Sequence, residues 1–391
     1  MTTQQDGELV IRQDYLPFGK PNFSDEEIAA VTRVLRSGWV GMGAETIAFE
    51  KELAQFFSVP HVVTVNSCTS GLILSLLVNG VGPGDEVICP SMTFCSTANA
   101  ALFLGAKPVL CDVDRGTLSV TPESVRAKLT LKTKAVIVVH FGGYAVDVEK
   151  IRAILPDSVA IVEDAAHALG SRYSNGKMVG ASGNLACFSF YANKNLATGD
   201  GGAIALFDEA QAERLRSLRQ NGMPADAWKR YTDSKSMLYS QLTELGYKMN
   251  LIDLEACIGR VQLKRQPEFR ARRLAIAQRY VEGLSDIRPA IGMQADCLSP
   301  AHARHLFIIQ LPIEAMRLSR DEFLLEMRAR NIGVSIHYAP LHQMPLYGFS
   351  PDDRLPNTDW LSQRIVTLPI SASMTLDDTN YVIAHIKEYL K

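Results

Sequence analysis

Short runs rich in β-branched residues recur between residues 61 and 164, and segments with helical periodicity separate most of them. The runs are HVVTV (61–65), DEVICP (85–90), KPVLCDVD (107–114), KAVIVVHF (134–141) and SVAIVED (158–164). Strands that alternate with helices at this spacing predict a doubly wound α/β sheet whose strands are apolar because both faces are covered. Two more runs, ACFSFY (186–191) and GAIALF (202–207), follow without a full helix between them, so the sheet is predicted to be mixed and mostly parallel.

The pattern changes after about residue 208. Helical and charged segments run to about 285, and a mixed part follows with the strand-like HLFIIQLP (305–312) and a closing helix in LDDTNYVIAHIKEYL. A chain of 391 residues is too long for one small core and suits a large domain with a smaller one. We predict a large domain over residues 1–249 and a smaller α+β C-terminal domain over residues 250–391.

Charge and cysteine content exclude several classes of protein. The formal net charge is −2, and the Lys/Arg-rich stretch 263–273 is interpreted as the solvated face of a helix, so no nucleic-acid partner is expected. The N-terminus has no signal-peptide pattern and no apolar run reaches about 18 residues, so no membrane association is expected. The seven cysteines form no CxxC pair, which favours a reducing compartment. We expect a cytoplasmic protein without a metal site.

Polar residues follow the predicted strands where ligands bind in open α/β sheets. Residues 67–70 (SCTS) lie between the strand HVVTV and a helix, and a helix N-terminus can bind an anion through its free N–H groups. Taken alone, this cluster is better explained as an ordinary N-cap. No GxGxxG or P-loop pattern is present, so a nicotinamide-dependent oxidoreductase has little support.

Further residues at strand ends suit an aromatic, phosphorylated aldehyde. Asp164 could keep a ring nitrogen protonated or cap a helix, Phe94 could stack on a ring or pack in the core, and Ser189 could add a phosphate contact. Lys194 lies between a strand-like run and a glycine pair, which is the setting of a lysine that forms a Schiff base. Together with the anion site, these residues meet the demands of pyridoxal 5′-phosphate.

At these residues the sequence resembles the DegT/DnrJ/EryC1/StrS family of sugar aminotransferases. The motifs that carry the resemblance are EDAAHALG, FSFYANKNLATGDGG and LGYKMNLIDLEACIG, and it extends from LPFGKPNFSDEEI through HYAPLH to LPISASMTLDD. The resemblance implies an aspartate-aminotransferase-like (type I) fold with pyridoxal phosphate as cofactor. It also implies a homodimer whose active site is shared across the interface.

The resemblance assigns a role to each matching position. It implies that Lys194 is the Schiff-base lysine and Asp164 the partner of the ring nitrogen, and that both are catalytic. Phe94 matches the stacking aromatic, and His167 a residue beside the cofactor that is Gln in many relatives.

Phosphate contacts and substrate contacts complete the assignment. Cys68, Thr69 and Ser189 match the phosphate site, and Lys248 matches a position, often Asn in relatives, that reaches the phosphate of the neighbouring subunit. Candidate substrate contacts are Trp39, Tyr338 and His342.

The implied reaction is a transamination from L-glutamate to a keto-sugar linked to a nucleoside diphosphate. Lys194 favours an aminotransferase over the deoxygenating branch of the family, which has histidine at this position. The GYKMN and HYAPLH variants favour a 4-keto, UDP-linked sugar over a 3-keto sugar. The alternatives are a cyclitol aminotransferase, which would share every cofactor residue, and a non-catalytic regulator, which would require neither Lys194 nor Asp164.

Overall fold

A mixed sheet forms the centre of the larger part of the molecule. The computed structural model describes residues 4–5, 8–223, 242, 244–348 and 354–390. Among these residues, seven strands form one sheet, and all of them run parallel except Gly202–Leu206, which is antiparallel to both its neighbours. The strand order is His61–Val65, Gly202–Leu206, Leu185–Ser189, Ala160–Asp164, Thr133–Val139, Glu86–Pro90 and Lys107–Cys111. The predicted mixed, mostly parallel α/β sheet is therefore confirmed.

Helices cover both faces of this sheet, because alternate strand residues point to opposite sides. In the strand Thr133–Val139, Val136 and Val138 join one apolar core, whereas Ala135 and Ile137 join the other. The described helices up to residue 264 are Asp25–Ser37, Ala44–Phe57, Cys68–Val78, Ser96–Phe103, Pro122–Arg126, Val148–Arg152, Glu209–Leu218 and Asp253–Lys264, with a 3₁₀ turn at Phe141–Gly143.

A smaller unit packs around its own apolar core. Its sheet has three described strands, Gly292–Met293, Phe307–Gln310 and Ile365–Leu368, which pair antiparallel. Its helices are Gln266–Leu284, Arg320–Ala329, Pro356–Ser362 and Leu376–Tyr389, with 3₁₀ turns at Ile313–Ala315, Leu341–Gln343 and Pro345–Tyr347. Near the N-terminus, Gln4–Gln5 pairs with Glu8–Leu9. The boundary at 249/250 stays a prediction.

Local signals in the sequence set several element ends. Helix Asp25–Ser37 begins after Ser24, which forms a capping box with Glu27. Helix Cys68–Val78 begins after Ser67, and eight of its eleven residues are buried, as expected for a mostly apolar helix in the core. All seven cysteines lie in the described ranges and are free. In those ranges, no helix is long and apolar enough to cross a membrane.

One prediction about the basic stretch 263–273 was wrong in part. Arg273 is buried in helix Gln266–Leu284, and its guanidinium donates to the backbone carbonyls of Arg304 and Ile370, each at 3.1 Å. Burial lowers the pKa of Arg273 to about 10. The sequence alone predicts a solvated side chain for Arg273 because its carbonyl partners lie 31 and 97 positions away in the chain.

Candidate active site

A cavity of about 320 Å³ lies at the carboxyl ends of the parallel strands. It forms here because neighbouring parallel strands end at the same edge of the sheet. The cavity brings together Cys68, Thr69, Phe94, Asp164, His167, Ser189, Lys194 and Tyr338. These residues lie far apart in the sequence, and folding of the chain brings them together.

One end of the cavity is the N-terminus of helix Cys68–Val78. The Ser67 hydroxyl accepts from the N–H of Ser70 at 3.1 Å, while Cys68 and Thr69 in the same first turn line the cavity. Ser189 ends the strand Leu185–Ser189 and lies on the same wall. First-turn N–H groups with hydroxyls beside them suit a phosphate.

The segment between the strands Leu185–Ser189 and Gly202–Leu206 carries Lys194 and is called the lysine hairpin here. Gly202, at its end, allows this hairpin to approach the N-terminus of helix Cys68–Val78. A Cβ atom at position 202 would lie 2.7 Å from the carbonyl oxygen of Phe188, 2.7 Å from the carbonyl carbon of Ser67 and 2.8 Å from the nitrogen of Cys68. Such separations are shorter than real Cβ contacts, so only glycine fits here without a backbone shift. The two segments can pack this closely at the phosphate end of the cavity only because residue 202 has no side chain.

Asp164 is the last residue of strand Ala160–Asp164 and is 5% exposed. Its Oδ2 accepts from the Thr97 hydroxyl at 2.8 Å, and its Oδ1 accepts from the backbone N–H of Ala166 at 3.2 Å. These two bonds fix the plane of the carboxylate. Each oxygen keeps acceptor capacity for a donor inside the cavity.

Lys194 follows the strand Leu185–Ser189 in a tight turn, and its backbone N–H donates to the carbonyl of Tyr191 at 2.8 Å. Burial lowers the pKa of Lys194 to about 8, although Asp164 and Cys68 act in the opposite direction. Since a lysine with a lowered pKa has more of its amine in the neutral form near pH 7, Lys194 is suited to attack an aldehyde.

Phe94 presents an aromatic surface to the cavity. Its side chain lines the wall and is 55% exposed, with its ring centroid 5.9 Å from that of Tyr338. An exposed ring in a cavity wall offers a flat surface for another aromatic ring. The helix terminus, Phe94, Asp164 and Lys194 together fit pyridoxal phosphate.

Hydrogen bonds define the proton position on His167. Its Nδ1 accepts from the backbone N–H of Gly142 at 3.3 Å, so the neutral ring carries its proton on Nε2. That Nε2 lies 3.1 Å from the hydroxyl of Tyr338, which therefore accepts and keeps its own hydrogen for another partner. Burial lowers the pKa of His167 well below its usual value, with Lys194 and His337 adding to the effect.

Three sequence-predicted residues lie outside this cavity. Trp39 and Lys248 border a separate cavity of about 210 Å³, where the Lys248 ammonium donates to Asn250 Oδ1. His342 is buried, with Nδ1 2.7 Å from the Ser91 hydroxyl and Nε2 2.9 Å from Asp359 Oδ1. Their predicted roles stay predictions.

The sequence analysis assigned no role to two residues whose side chains contact Asp164 and Lys194. Thr97 holds Asp164, and His305 places Nε2 3.5 Å from the Lys194 amine. His305 opens the strand-like run HLFIIQLP, which gave no indication of a polar contact.

Within the described parts of the chain, no group of three or more His, Cys, Asp or Glu side chains is arranged to hold a metal ion.

Comparison with known proteins gives matches along almost the whole chain. Residues 21–387 match the DegT/DnrJ/EryC1/StrS aminotransferase family. The spore coat polysaccharide biosynthesis protein SpsC of Bacillus subtilis (strain 168) is 40% identical over 386 residues, which cover 97% of this chain and 98% of SpsC. These matches confirm the resemblance that the motifs indicated.

Solved structures agree with this result. The aminotransferase TlmJ from Streptoalloteichus hindustanus superimposes with a TM-score of 0.87 at 35% identity, covering 96% of this chain and 98% of TlmJ. The PLP-form of the sugar aminotransferase Spr1654 from Streptococcus pneumoniae, described as putative, gives a TM-score of 0.87 at 29% identity, with 96% and 98% covered. The predicted fold class and cofactor are confirmed.

Proposed function

The chain belongs to the DegT/DnrJ/EryC1/StrS aminotransferase family of pyridoxal-phosphate-dependent sugar aminotransferases, and we propose that it transfers the amino group of L-glutamate to a keto-sugar linked to a nucleoside diphosphate. The observation that carries the proposal is Lys194, with its lowered pKa, in one cavity with Asp164. A purely binding protein would require neither group.

The residues of this chain divide the work between binding and proton transfer. The N–H groups at the start of helix Cys68–Val78 bind the cofactor phosphate, and Thr69 and Ser189 add hydroxyl donors. Phe94 would offer its exposed ring to stack on that of the cofactor. When bound, the cofactor supplies an electron sink for the carbanion of the amino-acid substrate.

Asp164 and Lys194 perform the electrostatic and acid–base parts of the reaction. Asp164 would accept a hydrogen bond from the ring nitrogen of the cofactor, and its negative charge would favour the protonated form of that nitrogen. Lys194 Nζ would anchor the cofactor aldehyde, and its neutral amine would accept the proton from the α-carbon of glutamate. In the second half of the reaction, Lys194 Nζ works in the reverse direction on the carbon of the sugar that is aminated.

His167 and Tyr338 line the same cavity and are hydrogen-bonded to each other. Because His167 Nε2–H donates to the Tyr338 oxygen, the Tyr338 hydrogen is available to an acceptor in the cavity. Burial raises the pKa of Tyr338 well above its usual value, so the hydroxyl stays protonated and can act as a donor. A keto oxygen of the sugar or a carboxylate oxygen of glutamate is a suitable acceptor.

We infer a 4-keto, UDP-linked sugar as the preferred acceptor, since GYKMN and HYAPLH resemble the variants of relatives that aminate C-4 of such sugars. We also infer a homodimer in the cytoplasm. In support of the dimer, Trp39 and Lys248 border a cavity of their own, from which they could complete the site of a second subunit.

The test is spectroscopic. The purified protein with pyridoxal phosphate should show the visible absorption band of the lysine-bound cofactor, and L-glutamate should bleach it. A UDP-4-keto-sugar should restore the band faster than a 3-keto nucleotide sugar or a keto-inositol. Restoration by keto-inositol alone would support the cyclitol alternative, and no visible band would contradict the proposal.

The oligomeric state has its own test. Sedimentation of the loaded enzyme should give a dimer, and Lys248→Ala should weaken cofactor binding without changing sedimentation. A fully active monomer would contradict the shared site.

A further inference from the structure

A second histidine, His305, lies directly beside the Lys194 amine. His305 Nε2 is 3.5 Å from Lys194 Nζ, and the His305 ring centroid is 4.5 Å from that of His167. His305 is 4% exposed and precedes the strand Phe307–Gln310 of the smaller unit. The smaller unit therefore contributes a side chain to the surroundings of the lysine.

The hydrogen bonds of Asn195 define the tautomer of His305. Asn195 Nδ2 donates to the carbonyl of Ala303 at 3.0 Å, which fixes the amide so that Oδ1 faces His305 Nδ1 at 3.3 Å. Since Oδ1 can only accept, His305 Nδ1 carries the proton and Nε2 is unprotonated. The lone pair of Nε2 therefore points at the Lys194 amine.

His305 stays neutral in the pH range where Lys194 titrates. Burial lowers the pKa of His305 well below its usual value, and Lys194, His167, Arg273 and His337 lower it further. The proton between the two groups is therefore held by Lys194, and His305 acts only as an acceptor.

We propose that His305 is a positioning residue for Lys194: when the lysine is not bonded to the cofactor, its Nζ donates a hydrogen bond to Nε2, as a neutral amine and more strongly as an ammonium. This contact favours the ammonium, as Asp164 and Cys68 do, and opposes the effect of burial. His167 and His337 also face Lys194, but both are neutral near pH 8 because burial lowers the pKa of each, that of His337 to about 3. The inference rests on the proposed role of Lys194 but is independent of the sugar.

The experiment measures the Lys194 pKa by competitive labelling with acetic anhydride, read by mass spectrometry. The protein is saturated with pyridoxamine phosphate, which leaves the lysine amine unbonded. His305→Leu should lower the Lys194 pKa by about one unit, the size expected for one hydrogen bond to a charged group. His305→Gln, which can offer an amide oxygen, should restore most of the shift.

The matched control is His302→Leu. His302 lies in the same segment and is equally buried, but its Nε2 faces Gln294 at 3.3 Å, so the Lys194 pKa should not change. If His305→Leu fails to fold, Asn195→Ala replaces it and should lower the Lys194 pKa by a smaller amount.

Two results would overturn the inference. One is an unchanged Lys194 pKa in folded His305→Leu or, where that variant does not fold, in Asn195→Ala. The other is an equal shift in the Leu and Gln variants, which would mean that His305 only fills space. Because the experiment uses no sugar, its result does not depend on which keto-sugar accepts the amino group.

Discussion

Thr97 donates its hydroxyl to Asp164 Oδ2 across 2.8 Å, at a position that is fully buried. The Thr97 oxygen also lies 2.8 Å from that of Thr93. The carboxylate is thus held by a neutral donor, which fixes its direction without adding a charge beside it.

Thr97→Val keeps the shape of the side chain and removes this donor. We expect a loss of about 1–3 kcal/mol of unfolding free energy, because a buried acceptor loses a partner, and about a tenfold fall in kcat. Urea unfolding and steady-state kinetics measure the two effects. Thr379→Val is the control, since its hydroxyl is also buried but donates only to Thr375 within a helix. A normal kcat in Thr97→Val would show that Asp164 keeps its position unaided.

Asp164→Asn removes the charge and keeps the acceptor for Thr97. The variant should still bind pyridoxal phosphate through the helix terminus, but we expect kcat to fall by about 100-fold or more because the ring nitrogen loses its electrostatic partner. Spectrophotometric titration gives the binding and steady-state assays give kcat. A rate close to that of the unchanged enzyme would mean that the ring nitrogen faces another group.

Lys194→Ala should abolish both turnover and the visible absorption of the lysine-bound cofactor. No other described lysine lines the cavity, so no second lysine amine can take the place of Lys194. Lys177→Ala, at an exposed position, is the control and should leave both unchanged. Residual steady-state transamination in Lys194→Ala would contradict the assignment.

The pH dependence of cofactor capture follows from the Lys194 pKa of about 8, lowered from 10.5 by burial. The neutral amine is the reactive form, and its fraction rises through pH 8 and then saturates. The rate at which cofactor-free protein captures pyridoxal phosphate should therefore level off above about pH 8. Stopped-flow absorbance measures it, and a rise that continues to 10.5 would show an ordinary solvated lysine.

Glu163 precedes Asp164 in strand Ala160–Asp164, and its side chain stabilises the fold on the opposite face of the sheet. It is fully buried and accepts from His140 Nε2 at 2.7 Å, Asn184 Nδ2 at 2.8 Å, and the hydroxyls of Tyr173 and Ser182. Burial opposes its ionisation, but the hydrogen bonds, led by that of His140, hold the pKa below the usual value.

Glu163→Gln should lower the unfolding free energy by about 1–3 kcal/mol at neutral pH, because the amide nitrogen cannot accept and leaves buried donors without a partner. The stabilisation by Glu163 is present above its unfolded pKa of 4.5 and is lost as the pH falls through the lower folded value. Urea unfolding at several pH values measures both effects. Glu149→Gln, which changes only an exposed bond to Asn175, is the control. Equal stability of the two variants would contradict this role.

The strand ends of the site could be predicted from the sequence because strand and helix periodicity is local. Parallel strands end at one edge, so residues 67–70, Asp164 and Lys194 had to meet there. Thr97 and His305 could not be predicted in the same way. Their polar atoms face partners 67 and 111 positions away, and only the packed fold decides such pairs. Trp39 and Lys248 border another cavity, and their roles in a site shared between subunits stay predictions.

The close approach at Gly202 has an evolutionary consequence. Any side chain at this position would collide with the lysine hairpin and the phosphate-binding turn at once. A descendant of this chain could not replace the glycine by a single substitution without moving both segments. Tyr191 lines the same cavity with a side chain that is about half exposed, and it carries no such constraint. New substrate preferences should therefore arise at exposed wall positions of this kind, while residue 202 stays glycine.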